Sequence, residues 1–370
     1  MKLTFEKSDL VRCVGIVQKA VSVRTTMKIL ECILIDASAG NINFTANDLD
    51  LGIQTLVPGE IIEKGRVAID AKLFSGLVRK LPEEKISFET SDDNSNMCII
   101  KCDKKTYKIP GMPAEEFTYF PEIEKTNSIK LSQMSLKEII NQTIFSLAIN
   151  DINPIMTGEL FETNENSLRV IALDSHRIAL RKIEIDISEN KVYTIIPGKS
   201  LKEIAGILAL DADKEVNIYF TDKHVLFEFD ETKVVSRVIE GTYLNVNKMF
   251  STDSETKVVI DRKALIDAID TEMVFIKESD KRPIIFDFKD DYVRLFVKST
   301  LGQGEEEVEI EKEGADLKIG FNPKFLLDVL KVIEDEKVTL SFVNAKSPCF
   351  IRDEKDTYLY LVLPVNFTEE

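Results

Sequence analysis

The stretch Leu173-Asp174-Ser175-His176-Arg177 sets an acid, a hydroxyl and an imidazole side by side, and it is the first place in this chain where catalysis would be sought. A serine hydrolase needs those groups converging from separate elements, with the nucleophile on a strained, glycine-flanked turn between strand and helix. Neighbouring residues at a strand end diverge in direction, and the glycine-flanked elbow is missing from the sequence. Gly198-Lys199-Ser200 ends like a nucleotide-binding loop but lacks the preceding glycine-rich run that would cradle phosphates. His176 and His224 are the only histidines, Cys98 and Cys102 can share one strand face without further ligands, and no three-ligand set has workable spacing. No catalytic residue, metal or cofactor is expected.

The elements that must carry these residues recur along the chain. A helix pattern begins at Ser8 (SDLVRCVGIVQKAV), at Ser135 (SLKEIINQTIFSLA) and at Arg262 (RKALIDAIDTEMVFI). A strand, helix and strand pattern begins at Val67 (VAIDAKLFSGLVRKLPEEKISFE), at Thr194 (TIIPGKSLKEIAGILALDADKEVNIYF) and at Leu317 (LKIGFNPKFLLDVLKVIEDEKVTLSF). The offsets cluster at about 125 residues, which reads as three copies of one domain. In each copy a short strand (LTF, NSIKL, TKVVI) leads into the first helix. Its apolar residues return on one face: Leu10, Val14 and Val17 in the first copy, Leu136, Ile139, Ile140 and Phe145 in the second. Two alternating runs joined by a turn follow, as in LECILIDASAGNINFTAND, MTGELFETNENSLRVIALD and IIFDFKDDYVRLFVKST. Asp70, Gly198 and Asn322 then sit where the second helix starts, each a cap or turn residue.

The fold class is therefore α+β: three repeated domains, each with two helices against antiparallel sheet. They cover residues 1–125, 126–250 and 251–370, with boundaries in the polar stretches 124–127 and 250–255. Such domains leave sheet edges open. Three in a row can continue their sheets into one another and into a partner chain, and a curvature that closes gives a ring without edges.

Length and composition fit this division. A chain of 370 residues is ample for three cores, and 44% apolar residues exclude a disordered chain. The first residues, MKLTFEKSDLVR, meet charge too early for a signal peptide, and no run is long enough to span a membrane. Five dispersed cysteines (Cys13, Cys32, Cys98, Cys102, Cys349) do not form a disulfide framework, so a reducing cytoplasm is the expected setting.

Several segments carry a resemblance to a known family: RTTMKILECILIDA from Arg24, FTANDLDLGI from Phe44, ALDSHRIAL from Ala172, IPGKSLKEI from Ile196, GFNPKFLLDVL from Gly320 and YLVLPV from Tyr360. In order and spacing, over essentially the whole chain, they resemble the beta sliding clamps, the processivity subunits of bacterial replicative DNA polymerase III. The resemblance implies three DNA-clamp domains per chain, a head-to-tail homodimer closed as a ring around duplex DNA, and no catalytic activity. It also implies a pocket for short linear peptides of the polymerase, the clamp loader and repair proteins. That pocket maps onto Met156, Leu173, Ser175, His176, Arg177, Ile178, Leu244, Met249, Leu361, Leu363, Pro364 and Val365, with Asn322 and Phe325 beside it. Methionine, leucine and valine make an adaptable groove, and His176 and Arg177 are expected as rim donors. Leu173 and Ser175 replace a threonine and a glycine common in the family, and Leu244 replaces a proline, so groove depth and peptide preference should differ. Asn322 reads equally as a helix cap ahead of Pro323, and Phe325 as a core aromatic. The tail 366–370 overhangs the pocket or frays.

A formal charge of -16 and a pI near 4.9 argue against tight electrostatic DNA binding, whereas a ring holds DNA topologically. Basic residues on the helices assigned to the inner surface are Arg12, Lys19, Arg79, Lys80, Lys137, Lys199, Lys202, Arg262, Lys263, Lys324 and Lys331, while the acidic run GEEEVEIEKE falls outside them. The same residues also read as solvated faces of amphipathic helices. Arg24, in a loop with Thr25, Thr26 and Lys28, lies where the family places an arginine near the DNA backbone. Asn153-Pro154 stands where the family often has another arginine, which puts a phosphate contact there in doubt. For the dimer, the resemblance points to Lys72, Phe74, Ser75, Leu77 and the strand 106–108 on one side. On the other side it points to Val274, Phe275, Ile276 and residues 305–308. Lys104, Lys105 and Lys108 facing the run Glu305 to Glu309 would be complementary, or the two are independent patches. A triplicated peptide-binding scaffold that never encircles DNA is the alternative function.

Overall fold

The computed structural model describes residues 1–91, 96–149, 152–164, 166–185, 191–250, 253–277, 282–353, 355 and 357–367. Among them are six α-helices, two in each repeat: α1 (Lys7–Val17), α2 (Ala71–Val78), α3 (Gln133–Asn141), α4 (Gly198–Ala205), α5 (Arg262–Glu272) and α6 (Pro323–Leu330). Local chemistry sets their starts. Asp70 Oδ1 accepts from the Leu73 amide at 2.7 Å, Asp261 Oδ1 from Ala264 at 2.8 Å, and Asn322 Oδ1 from Lys324 at 3.1 Å. Each satisfies an orphan amide of the first turn, and Pro323 has none to lose. The turn and boundary positions 251–252 and the tail residues 368–370 lie outside the described residues.

The helices cover strands whose alternation matches the sequence pattern, and every pairing is antiparallel. The chain forms two compact units, Met1–Lys137 with Lys199–Val238, and Glu138–Gly198 with Ile239–Glu370. In the first unit eight strands run in the spatial order Ser128–Ser132, Glu215–Phe220, His224–Phe229, Thr232–Arg237, Leu51–Leu56, Asn43–Asn47, Cys32–Asp36, Arg66–Asp70. Four belong to the middle repeat and four to the first, joined where Thr232–Arg237 pairs with Leu51–Leu56. The second unit repeats the plan with Tyr193–Pro197, Gly158–Asn164, Ser167–Leu173, Arg177–Glu184, Tyr358–Val362, Cys349–Arg352, Lys337–Phe342, Thr256–Asp261. There the join is Arg177–Glu184 with Tyr358–Val362. The strands of the middle repeat are thus shared between the units, because backbone hydrogen bonding crosses from one repeat to the next.

Two four-strand sets remain. Lys2–Glu6, Lys85–Thr90, Met97–Cys102 and Lys105–Met112 pair in that order in the first unit, with Glu60–Glu63 outside Lys2–Glu6. Gly302–Gly314, Tyr292–Ser299, Ile284–Phe288 and Leu317–Phe321 pair in that order in the second. Lys105–Met112 touches Arg66–Asp70 only through Met112 and Gly111. Gly302–Gly314 meets Thr256–Asp261 only from Ile310 onward. Residues 105–109 and 303–309 therefore each keep one edge without a strand partner among the described residues.

Aromatic residues fill the cores under the helices. Phe44 packs on Phe5 and Phe74, and Phe74 on Phe88, with centroids 5.9 to 6.2 Å apart. In the second unit Phe321 meets Phe286 at 5.8 Å and Phe342 at 6.4 Å. Each fully buried ring contributes about 2 to 3 kcal/mol of transfer free energy.

Candidate functional site

Asp174, Ser175 and His176 turn the chain between Ser167–Leu173 and Arg177–Glu184. Asp174 Oδ1 accepts from the His176 amide at 2.7 Å and the Arg177 amide at 3.0 Å. The Asp174 amide in turn donates to the Arg177 carbonyl at 3.1 Å. The carboxylate is thus committed to its own turn, as an Asx residue does. Ser175 and His176 are exposed, and the His176 ring leans on Phe325 at 5.8 Å.

Arg177 corrects the sequence expectation. It is 8% exposed, and all three guanidinium nitrogens are engaged. Nε donates to Asp174 Oδ2 at 3.2 Å, Nη1 to Asp328 Oδ2 at 2.7 Å, and Nη2 to the Phe145 carbonyl. Its plane lies over Phe325 at 4.5 Å and Phe145 at 5.5 Å. A guanidinium held by three hydrogen bonds and two ring faces ties the turn to α6. Of the two expected rim donors only His176 faces solvent.

The apolar residues do gather. Leu173, Ile178 and Leu361 are buried in one cluster with Leu160, Tyr243, Val246 and Phe350, and Met156 packs half-buried against it. Leu244, Met249 and Leu363 stand 48%, 40% and 37% exposed. The Leu363 amide donates to the His176 carbonyl at 2.8 Å and the Val365 amide to the Gly320 carbonyl at 2.8 Å. These bonds set Leu363, Pro364 and Val365 beside the His176 turn and the strand before α6. Asn322 caps α6, while Phe325 is half-buried between the Arg177 and His176 side chains. Sequence reasoning missed Tyr243, whose hydroxyl donates toward the Gly158 and Ile171 carbonyls at 3.1 and 3.2 Å. It also missed Glu159, fully buried beneath this cluster's strands. Glu159 Oε1 accepts from Thr143 Oγ1 at 3.0 Å, and Oε2 has no partner among the described residues. Desolvation holds the Glu159 carboxyl well above its usual value, the Thr143 bond opposing it. An acid in an alternating strand gives no sequence signal that it faces inward.

The basic residues divide. Arg24, Arg79, Lys80, Lys202 and Lys263 are exposed, with side chains unpaired among the described residues. Lys199 pairs with Asp48 at 2.7 Å, Lys19 with Glu203 at 2.9 Å, Arg12 with Asp9 at 3.4 Å and Lys331 with Asp270 at 3.6 Å. Lys137 and Arg262 bond instead to backbone carbonyls. Lys137 Nζ donates to the Leu208 carbonyl at 2.9 Å, and Arg262 donates to the Asp335 and Leu330 carbonyls at 2.7 and 3.1 Å. Both are half-buried cations that donate to backbone oxygens at or just past helix ends.

Among the residues assigned to a dimer contact, Lys72, Lys108 and Val274 are exposed, and Leu77, Phe275 and Ile276 half-buried. Phe74 is a correction: it has no exposed surface and is a core ring, while Leu73 beside it is 58% exposed. Glu272, at the end of α5, is 2% exposed with Oε2 unpartnered. Burial first, then Glu306 and Glu305, push its carboxyl up to about 7. All five cysteines are free and buried, and no group of three or more His, Cys, Asp or Glu could hold a metal among the described residues. No helix there is long and apolar enough to cross a membrane.

Family models for the DNA polymerase III beta subunit match in sequence order: the N-terminal domain over residues 1–121, the central domain over 130–245 and the C-terminal domain over 247–366. The beta sliding clamp of Bacillus subtilis is 34% identical over 378 residues, covering 99% of each chain. A crystal structure described as a DNA polymerase III beta subunit of Eubacterium rectale is 50% identical with a TM-score of 0.95, covering 99% of each chain. A Pseudomonas aeruginosa sliding clamp bound to griselimycin is 25% identical with a TM-score of 0.93, covering 99% of this chain and 100% of that one. Three domain matches in order, with full-length likeness in sequence and in fold, make this chain a member of the beta sliding clamp family, the beta subunits of DNA polymerase III.

Proposed function

We propose that the protein is the processivity clamp of a bacterial replicase, a non-catalytic homodimeric ring that encircles duplex DNA and tethers the polymerase. The observation that carries the ring is the strand inventory. Two eight-strand sheets are each built from four strands of one repeat and four of the next, and one four-strand set is left over at each end of the repeat series. A second chain arranged head to tail supplies the missing half of each, so a closed dimer has no free junction. Encirclement makes tight binding unnecessary, which reconciles the net charge of -16 with a DNA-handling role.

Within this reading the domains are residues 1–125, 126–250 and 251–370, and the protein works in the cytoplasm. Arg24, Arg79, Lys80, Lys202 and Lys263 are the side chains free to meet phosphates, and their contacts are sequence-independent. The groove of Met156, Leu173, Ile178, Leu244, Met249, Leu361 and Leu363, with His176 at its rim, takes short apolar peptides of the polymerase, clamp loader and repair proteins. Exposed, flexible Leu and Met over a packed floor suit many partners. The test is retention on nicked circular DNA after loading by a compatible clamp loader and ATP. Retention on circles with loss after linearisation is expected, and equal retention on both forms would overturn encirclement.

A further inference from the structure

The two joins inside the chain specify the third, between chains. Each first-helix strand starts a ladder of opposed residues: Ile129, Ile218, Phe227 and Val234 in the middle repeat, Val258, Leu340, Ile351 and Tyr360 in the last, and Leu3, Phe88, Ile100 and Tyr107 in the first. Tyr107 thus holds the place of Val234 and Tyr360. On the facing side the ladders Ala68, Leu34, Thr45, Gln54 and Ile195, Leu160, Ile171, Leu180 correspond to Gly320, Ile285, Phe296, Glu305. Gly304 thus holds the place of Ile53 and Ala179. Inside the chain Ile53 opposes Val234 and Ala179 opposes Tyr360.

We infer that the dimer closes in the register that sets Gly304 opposite the partner's Tyr107, Glu305 opposite the partner's Thr106 and Glu306 opposite the partner's Lys105, with the partner's Tyr107 hydroxyl donating to Glu272. This rests on the dimeric reading above and adds its residue-level address. Three features at the open edges fit it. A small residue faces a tyrosine, as Ala179 faces Tyr360. The pair on the same face one step along is Glu306 with Lys105, where the internal joins have Thr55 bonded to Thr232 at 2.8 Å and Arg181 over Tyr358 at 5.8 Å. Finally, the Tyr360 hydroxyl donates to the Gln142 carbonyl at 3.0 Å just past α3, and Thr271 and Glu272 close α5 at the corresponding place. There the buried Glu272 Oε2 lacks a donor, and it lies so close to Gly304 that a Cβ on that glycine would sit 2.2 Å away. Glycine at 304 leaves room for the carboxylate, and an incoming hydroxyl supplies its missing bond.

Two measurements test this on the full chain. Directly opposed residues of antiparallel strands fit disulfide geometry. The variant Thr106→Cys/Glu305→Cys is expected to oxidise to a covalent dimer, whereas Thr106→Cys/Gln303→Cys, two residues out of register, is not; preferential cross-linking of the offset pair overturns the register. Tyr107→Phe is expected to raise the dimer dissociation constant at least tenfold in sedimentation, and to have no further effect in a Glu272→Leu background. An equal effect in both backgrounds overturns the hydroxyl contact. Retention on circular DNA, run in parallel, separates the two levels. A retained dimer with the offset cross-link sinks the register alone, while a chain that stays monomeric and unretained sinks the clamp reading with it.

Discussion

Glu159 makes the pH dependence of stability a sharp test of the interior. It is fully buried with one hydrogen bond, from Thr143, and its carboxyl titrates well above the ordinary 4.5. A group whose folded pKa is raised stabilises the native state fully below the unfolded pKa. That contribution is lost as pH rises toward the folded pKa, because the unfolded carboxyl ionises while the native one stays neutral. The loss is about 1.4 kcal/mol per pH unit in this window. Glu159→Gln keeps an oxygen for the Thr143 bond and has no proton to lose. Its added amide carries a desolvation cost, but that cost does not change with pH, so the informative quantity is the difference in slope. As pH rises above the ordinary carboxylate range the native protein should lose stability relative to the variant, with a limiting slope of about 1.4 kcal/mol per pH unit. With a guanidinium m-value of about 4 kcal/mol/M that slope corresponds to a relative shift of at most roughly 0.35 M per pH unit in the unfolding midpoint followed by circular dichroism. Every other carboxylate contributes equally to both proteins. Midpoints that run parallel from pH 5 to pH 6.5 would refute the assignment of Glu159 as a neutral buried acid.

Arg177→Met should destabilise the protein by about 3 kcal/mol, since Asp328 and the Phe145 carbonyl are left without their donor, and Arg177→Lys should not restore it; thermal melts decide. Leu244→Asp or Leu363→Asp, both at exposed positions, should weaken binding of a fluorescent clamp-binding peptide at least tenfold in anisotropy without changing the dimer mass. Raising salt from 50 to 200 mM should leave retention on closed circles nearly unchanged, because topology and not counterion release holds the DNA, while dissociation of the free dimer should increase as the lysine and glutamate edges are screened. A dimer equilibrium indifferent to salt would remove those edges from the interface.

The legible parts of this fold were those written in local period and cap chemistry. Helix starts at Asp70 and Asn322, the alternating strands, and the return of one pattern at about 125 residues all follow from contacts between near neighbours in sequence. That Leu173, Ile178, Leu361 and Met156 lie near one another was legible, and the structure packs them into one cluster. The roles of Arg177, Phe74, Lys137 and Arg262 were not. A basic or aromatic residue on an amphipathic segment looks the same whether it meets solvent or is spent on a carbonyl from a distant segment. Glu159 and Glu272 carry no local mark of burial either.

The sequence by itself determined that there are three domains and that each carries two helices over antiparallel strands. Tertiary structure alone decided that Leu51–Leu56 pairs with Thr232–Arg237 and Arg177–Glu184 with Tyr358–Val362, leaving 105–109 and 303–309 open. The physical reason is that helices and hairpins close their hydrogen bonds within a few residues, so composition and period report them. A sheet edge takes whichever strand its neighbours' packing brings within about 5 Å, and nothing in a strand's own residues names its partner.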